Sequence, residues 1–506
     1  MKRATWRKHH KWFGLLFCFF LLMFCLSGIV LNHRTWVSDI QISRRWLPAS
    51  YRFNRWNNGL LRGTLSYTDS LSRQRIVLLY GVGGIWQTDS LASHFTDFNR
   101  GLPESADARA IRQMGQMPDG TLFAVGQFNL FCYDHGSGQW KDCSLPLSPH
   151  ERLTDLATRG DTLIAVGRSR LYLATPPYAT FTPLVLQAPE GYDGRVSLFR
   201  TVWQLHSGEL FGTAGKFLID GVALVLILLS LTGILYFLLN KRIKRYNLLL
   251  KRGAPPTPLA GRRQRTVSLL RLTRLWHDKL GIYTLVLTLF VSLTGWMLRP
   301  PVLLALVYGR VPAIPGTNLS SPNPWNDNLR LLRYDADCHD WILSTADGLY
   351  SLASLRSVPA RITPAPPISV MGANVFTQDN RGDWLVGSFS GMFRWNRSRG
   401  EATDYFTGCP APEKSGAPFG KRAIAGYSND FSEGPCLVEY DQGTDAIPMP
   451  PTLSTLPMSL WNLCLEIHTG RIYTVLGAGT LVYIFFAGLI VIWILVSGYK
   501  VRTRGK

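Results

Sequence analysis

Four long apolar runs constrain this chain more than any other feature. Residues 12–31, 222–239 and 282–298 are uninterrupted, and residues 475–496 are broken only by small residues. Each is long enough to cross a hydrocarbon layer of roughly 30 Å at about 1.5 Å per helical residue. The first run has an apolar core longer than that of a secretory signal, and no small-x-small cleavage site follows Gly28-Ile29-Val30, so it is expected to remain as an anchor.

Charge sets the expected topology, because cytoplasmic flanks of membrane helices collect Lys and Arg. Lys2, Arg3, Arg7, Lys8 and Lys11 precede the first run. Twelve basic residues and the single acid Asp278 lie between Lys241 and Lys279, and Lys500, Arg502, Arg504 and Lys506 close the chain. These groups account for nearly all of the net charge of +21, so the two long segments between spans are almost neutral and nucleic acid is not needed to explain the charge. The expectation is a four-span protein of a bacterial inner membrane, in contact with membrane lipid, with both termini cytoplasmic. Spans cover residues 12–32, 206–240, 276–299 and 468–499. Residues 1–11, 241–275 and 500–506 lie inside, and 33–205 and 300–467 lie outside. The inner loop, which contains Pro255-Pro256, is too short to fold alone. No P-loop or dinucleotide fingerprint appears, and Gly81-Val82-Gly83-Gly84 sits in a strand pattern with no helix after it.

Both outer segments repeat one phrase: a turn, an alternating strand, a second turn and an aromatic-bearing strand. It runs from Asp119 to Phe131, from Asp161 to Tyr172, from Asp340 to Tyr350 and from Asp383 to Phe393, with a weaker copy ending at Gly84-Ile85-Trp86. The spacings from Asp119 to Asp161 and from Asp340 to Asp383 match the length of one propeller blade. An all-β region is predicted, built as one propeller-like ring of six or seven blades shared between both segments, since a half-ring leaves open edges. Two separate sandwich-like domains are the competing arrangement. Cys18 and Cys25 lie in the first span. Cys132, Cys143, Cys338, Cys409, Cys436 and Cys464 fall on the oxidising side, with Cys132 and Cys143 a plausible pair. No cysteine spacing resembles a zinc site.

Aligning the two halves exposes a duplication. His10 precedes Gly14 by four residues and Gly28 by eighteen, with Ser27 beside that glycine. His277 precedes Gly281 by four and Gly295 by eighteen, with Thr294 beside it. The second and fourth spans open alike, Leu205-His206-Ser207-Gly208 against Ile467-His468-Thr469-Gly470. Each unit of helix, outer segment and helix has an even number of spans, so the copies run parallel about a pseudo-twofold axis along the membrane normal. That axis places His10 opposite His277 near the inner face and His206 opposite His468 near the outer face. Two imidazoles facing each other at one depth in a bundle are what a six-coordinate haem iron requires. Gly14, Gly28, Gly281 and Gly295 would let a macrocycle or a neighbouring helix approach. Ordinary interfacial histidines, helix-packing glycines and a proton relay are competing readings. Zinc fits poorly, because two ligands per level half-fill a tetrahedral site. A straight first helix would separate the two levels by roughly 33 Å, a long way for one direct electron transfer.

The stretch Arg7-Lys8-His9-His10-Lys11-Trp12-Phe13-Gly14, the Ser-Gly and Thr-Gly near helix ends and the His-(Ser/Thr)-Gly openings resemble the PepSY-associated transmembrane proteins. That family includes iron-regulated inner-membrane proteins and ferric-siderophore reductases. The resemblance covers the four helices and departs outside them, where blade-like strands replace PepSY domains. It implies two haem b groups with His10, His206, His277 and His468 as iron ligands. The expected activity is electron transfer from a cytoplasmic reductase or quinone to an outer acceptor. By resemblance that acceptor is a ferric chelate, which would make the chain a haem-dependent ferric reductase. No strand residue identifies a catalytic group. The rival classes are a non-enzymatic propeller binding or sensor protein anchored by four helices, and a transporter.

Overall fold

The computed structural model describes residues 2–68, 74–148, 151–253, 256–412, 420 and 422–503. Pro255, Arg504 and Lys506 of the expected inner segments lie outside the described residues. The chain divides into two units: a helical one from residues 1–37, 194–320 and 461–506, and a sheet unit from residues 38–193 and 321–460.

The helices follow in the order α1 (Arg3–Asn32), α2 (Arg34–Val37), α3 (Leu198–Ser207), α4 (Gly212–Lys251), α5 (Pro256–Tyr283), α6 (Leu285–Met297), α7 (Val302–Tyr308), α8 (Leu460–Thr469) and α9 (Gly479–Thr503). Arg3–Asn32, Glu209–Lys251 and Gly479–Arg502 are each long and apolar enough to cross a membrane. Leu259–Tyr283 and Leu285–Met297, bent by 66°, make a fourth span if counted together. Within this unit α1 packs on α4 and α9, α4 on α5, α6 on α9, and α3 on α6.

Three features depart from the boundaries read in the sequence. Residues 256–275, expected as an inner loop, are helical and continue into the third span as α5. The third span bends at Thr284, whose hydroxyl donates to the Leu280 carbonyl at 2.7 Å, a back-bond of the kind that bends helices. The corresponding position of the first half, seven residues after His10, is Phe17, and α1 is continuous through it. Third, His206 and His468 do not open spanning helices. Each lies at the end of a short helix closed by a left-handed glycine, Gly208 at φ 78° and Gly470 at φ 79°. Glycine meets no steric penalty there, so the His-(Ser/Thr)-Gly triplet is a helix stop and the spanning segment starts after it.

Among the described residues the sheet unit contains five four-stranded antiparallel sheets and two two-stranded pairings, of which Ile424–Ser428 with Cys436–Glu439 continues the series. The four-stranded sheets begin at Gly63–Thr68, Gln113–Gln116, Leu153–Arg159, Leu329–Asp335 and Ala373–Gln378, and strands within each are consecutive in sequence. The alternating phrases of the sequence are the second and third strands, as in Thr162–Gly167 paired with Leu171–Ala174. The first strand of each sheet lies beside the first strand of the next, and Ile424–Ser428 lies beside both Ala373–Gln378 and Gly63–Thr68. At that last contact Thr64 Oγ1 meets Ser428 Oγ at 2.6 Å and donates to Asp430 at 2.5 Å. Gln41–Ile42 pairs with Met458–Ser459, tying the two chain segments of the unit together. Cys132 and Cys143 stand diagonally on adjacent strands, and their thiols meet on one face.

Arg397 anchors two adjacent sheets. It donates to Asp335 at 2.8 Å and to Asp340 at 2.5 Å, and Asp335 is 2% exposed. Burial pushes the Asp335 carboxyl up, but hydrogen bonds from Arg397, the Cys338 amide and the Trp384 indole outweigh it and hold the group below its ordinary value. A carboxyl depressed in the folded state stabilises the fold above the unfolded range near 3.9, and that contribution fades as pH falls. Arg397→Leu strands both carboxylates and is expected to cost about 3–5 kcal/mol at pH 7. The loss should shrink below about pH 4, as the Asp335 carboxylate protonates. Chemical denaturation of the full chain in detergent, followed by tryptophan fluorescence at both pH values, measures this.

Candidate functional site

The helical unit brings the four membrane histidines together in two pairs. The ring centroids of His10 and His277 are 6.0 Å apart, and those of His206 and His468 are also 6.0 Å apart. The planes are inclined by 63° and 43°. Neither pair is stacked face to face.

All four rings are held the same way. His10 Nδ1 lies 3.0 Å from the Ile494 carbonyl and 3.3 Å from Ser497 Oγ. His206 Nδ1 lies 3.1 Å from the Val291 carbonyl and 3.3 Å from Thr294 Oγ1. His468 Nδ1 lies 2.9 Å from the Phe24 carbonyl and 3.2 Å from Ser27 Oγ. His277 Nδ1 lies 3.0 Å from Thr232 Oγ1. A carbonyl only accepts. Each hydroxyl already donates to its own helix: Ser27 to Met23 at 2.6 Å, Thr232 to Leu228 at 2.6 Å, Thr294 to Phe290 at 2.9 Å and Ser497 to Ile494 at 2.9 Å. The imidazoles must therefore supply the proton from Nδ1, which leaves Nε2 with its lone pair free to bind a metal.

A glycine follows every one of these hydroxyl residues. A Cβ on Gly295 would stand 2.7 Å from His206 Cε1, one on Gly498 3.0 Å from His10 Cε1, one on Gly28 3.2 Å from His468 Cε1, and one on Gly233 3.5 Å from His277 Cε1. The Ser-Gly or Thr-Gly pair is thus a seat, with the hydroxyl taking the proton and the bare backbone making room for the ring. Every seat belongs to the opposite half of the duplication. His10 and His206, from the first half, sit on α9 and α6; His277 and His468, from the second, sit on α4 and α1.

Of the glycines singled out in the sequence, Gly28 and Gly295 lie against histidines. A Cβ on Gly14 would meet nothing within 4 Å, and one on Gly281 would meet Leu229 at 3.7 Å, so neither belongs to a seat. Four residues were missed: Thr232, Gly233, Ser497 and Gly498. The signal was present as the same dipeptide in the second and fourth spans, but a three-residue difference in spacing after Gly208 and Gly470 hides it from gapless alignment. The depth of the outer pair also changes. His468 sits against Phe24 and Ser27, one to two turns short of the end of α1, so the two pairs are separated by about 14 to 17 residues of α1, roughly 21–26 Å. His9, beside His10, has an edge contact with Phe13 and no histidine partner across the bundle.

The two histidine pairs fit a metal-centred group bound from both faces. An imidazole nitrogen about 2 Å from a metal on either side sets ring centres roughly 6 Å apart. The second hydrogen bond from Nδ1 is the usual support of a ligating imidazole. Among the described residues no cluster of three or more His, Cys, Asp or Glu could hold a bare metal ion.

Fold and site together define a helical membrane protein with duplicated histidine pairs inside its bundle. The chain belongs to the PepSY-associated TM region family, whose profile matches residues 1–240 and again residues 237–502, one match to each half. A search of curated proteins returns no match. Among solved structures, the chain is similar to the extracellular domain described as that of the one-component system BT4673 from B. thetaiotaomicron. The identity is 9% and the TM-score 0.33, over 78% of this chain and 39% of that one. It is also similar to PorZ of the type-IX secretion system of Porphyromonas gingivalis, at 11% identity and TM-score 0.30, over 76% of this chain and 32% of that one. The chain therefore spans well under half the length of these structures.

The seats make a differential prediction. Gly295→Ala pushes a methyl into the His206 ring and is expected to destabilise the protein by about 1–3 kcal/mol. Gly14→Ala, in open space on a helix, should be neutral or stabilise by up to about 1 kcal/mol. Thermal unfolding of the two variants in the same detergent checks the contrast.

Proposed function

We propose that this chain is a transmembrane electron-transfer protein that holds one b-type haem between His10 and His277 and a second between His206 and His468. The observation that carries the reading is the equal 6.0 Å spacing of both pairs, with Nδ1 of every ring already engaged. Bound there, the group supplies a one-electron ferric/ferrous couple, and two protein ligands on the iron favour electron transfer over oxygen chemistry.

The residues of the chain do the positioning. The four hydroxyls and three helix carbonyls fix ring tautomer and rotation, and Gly28, Gly233, Gly295 and Gly498 let the rings lie close to the helices that seat them. Cys25, Val222 and Leu226 pack with Leu21, Ile227, Leu229, Val291 and Leu495 into one apolar cluster on the four helices that carry the seats. The separation of roughly 21–26 Å is shorter than a full helix length would give.

The basic inner segments support an inner-membrane orientation with both termini cytoplasmic. The donor is then a cytoplasmic reductase or a quinone, and the acceptor lies outside. Kinship with ferric-siderophore reductases makes a ferric chelate the leading acceptor. The series of six small sheets, whose first strands neighbour one another in turn and meet again through Thr64, Ser428 and Asp430, supports a single six-bladed propeller-like ring drawn from both outer segments.

An absorption spectrum of the purified protein tests the core of this reading. A reducible two-haem spectrum is expected, whereas a colourless, folded preparation would leave an anchored binding protein as the better account. Within the haem reading, His10→Ala and His277→Ala should each remove the same haem and spare the other. Loss of one common haem in His10→Ala and His206→Ala would show that the pairing by depth is wrong.

A further inference from the structure

Beside the outer histidine pair the duplication is broken by a cation. Four residues after the seat glycine Gly295 stands Arg299, and four residues after its counterpart Gly28 stands Asn32. Arg299 is partly buried and donates from Nη2 to the backbone carbonyl of His468 at 2.8 Å, so its cation belongs to the immediate surroundings of that ligand. Among the described residues no carboxylate lies within ion-pair distance of Arg299. Nearby, Arg471 is paired with Glu466 at 2.5 Å, and Asp220 takes a hydrogen bond from Asn32 at 2.9 Å and meets His33 at 2.6 Å.

The inner pair has a different setting. Asp278, next to His277, is half-exposed and lies 3.6 Å from Arg274, itself 62% exposed. Lys11, beside His10, lies over the rings of Trp12 and Phe237. Charges of both signs near a water-facing surface are screened, whereas a cation inside the bundle is screened much less.

We propose that Arg299 raises the reduction potential of the outer histidine site above that of the inner one, so that an electron moves outward spontaneously. The proposal rests on the haem reading above. Placing an electron on an iron lowers its charge by one, and a neighbouring fixed cation favours that state. The sign does not depend on what else meets the guanidinium. If a carboxylate of the bound group pairs with Arg299, removing the arginine uncovers a negative charge beside the iron and lowers the potential as well. In the transfer itself the inner iron is oxidised, the outer iron is reduced, and no bond is made or broken.

The test is a redox titration of the full-length protein in detergent, followed by haem absorbance. Two one-electron waves are expected, and His206→Ala should abolish the upper one, which assigns it to the outer site. Arg299→Gln should lower the upper wave by at least tenfold in its reduction constant, which is 59 mV for one electron, and leave the lower wave in place. Arg299→Lys, which keeps the charge, should hold the upper wave close to its original position. If Arg299→Gln fails to retain the outer haem, Arg299→Met, which keeps an apolar stem, replaces it in the comparison with Arg299→Lys. An upper wave unmoved by the neutral substitution, a shift confined to the lower wave, or equal shifts in the lysine and neutral variants would overturn the proposal. Failure of the haem reading is separate, because it appears as a wild-type protein without a haem spectrum before any titration begins.

Discussion

The hydrogen bond from each imidazole Nδ1 to a helix of the opposite half is the interaction on which the helical unit depends. It fixes the tautomer, leaves the Nε2 lone pair free and sets the depth of each pair. It also dictates what the receiving helix must contain. A hydroxyl residue whose own proton is committed one turn back presents a lone pair to the incoming N–H, and a glycine next to it clears the space a side chain would fill. Because every seat is supplied by the other half, neither copy of the repeat can orient its own histidines. The duplication is therefore an exchange of supports between two halves, and the two sites are joint products of both.

The rest of the helical unit follows from delivering those rings to their seats. His206 and His468 reach inward from short helices that stop at left-handed glycines, which lets each ring turn toward α6 or α1 before the chain enters its spanning helix. The third span bends at Thr284 where the first runs on through Phe17, so the two halves are related in their contacts and not identical in their paths. Arg299 against Asn32 and Asp220 against Phe485 add an electrostatic difference on top of that geometric one.

The sheet unit is organised by a different rule. Each four-stranded sheet buries its middle strands almost completely, as in Leu163, Ile164, Ala165 and Val166, while neighbouring first strands pack side by side. Arg333 to Asp155 at 2.6 Å links two neighbouring first strands, and Arg62, just before Gly63–Thr68, reaches Asn374 at 3.1 Å, in places where unpaired buried groups would be costly. The blade-length period in the sequence was the imprint of this arrangement, since the central two strands are the most apolar part of each sheet. The shorter outermost strands, such as Thr96–Asp97 and Ala360–Arg361, leave almost no pattern and could not be read in advance.

By itself the sequence determined the membrane character of the chain, its duplication and the identity of the four histidines, because apolar length, matched spacing and basic flanks are properties of the linear chain. It also carried the strand rhythm of the two long segments between spans. It could not tell that Ser207 and Thr469 end helices, that residues 256–275 are helical, or that Gly14 and Gly281 stand apart from the rings. Nor could it reveal Thr232-Gly233 and Ser497-Gly498 as seats. Those facts turn on which helix lies against which, and a hydroxyl followed by glycine acquires its role only when a ring from a distant part of the chain is brought within about 3 Å of it.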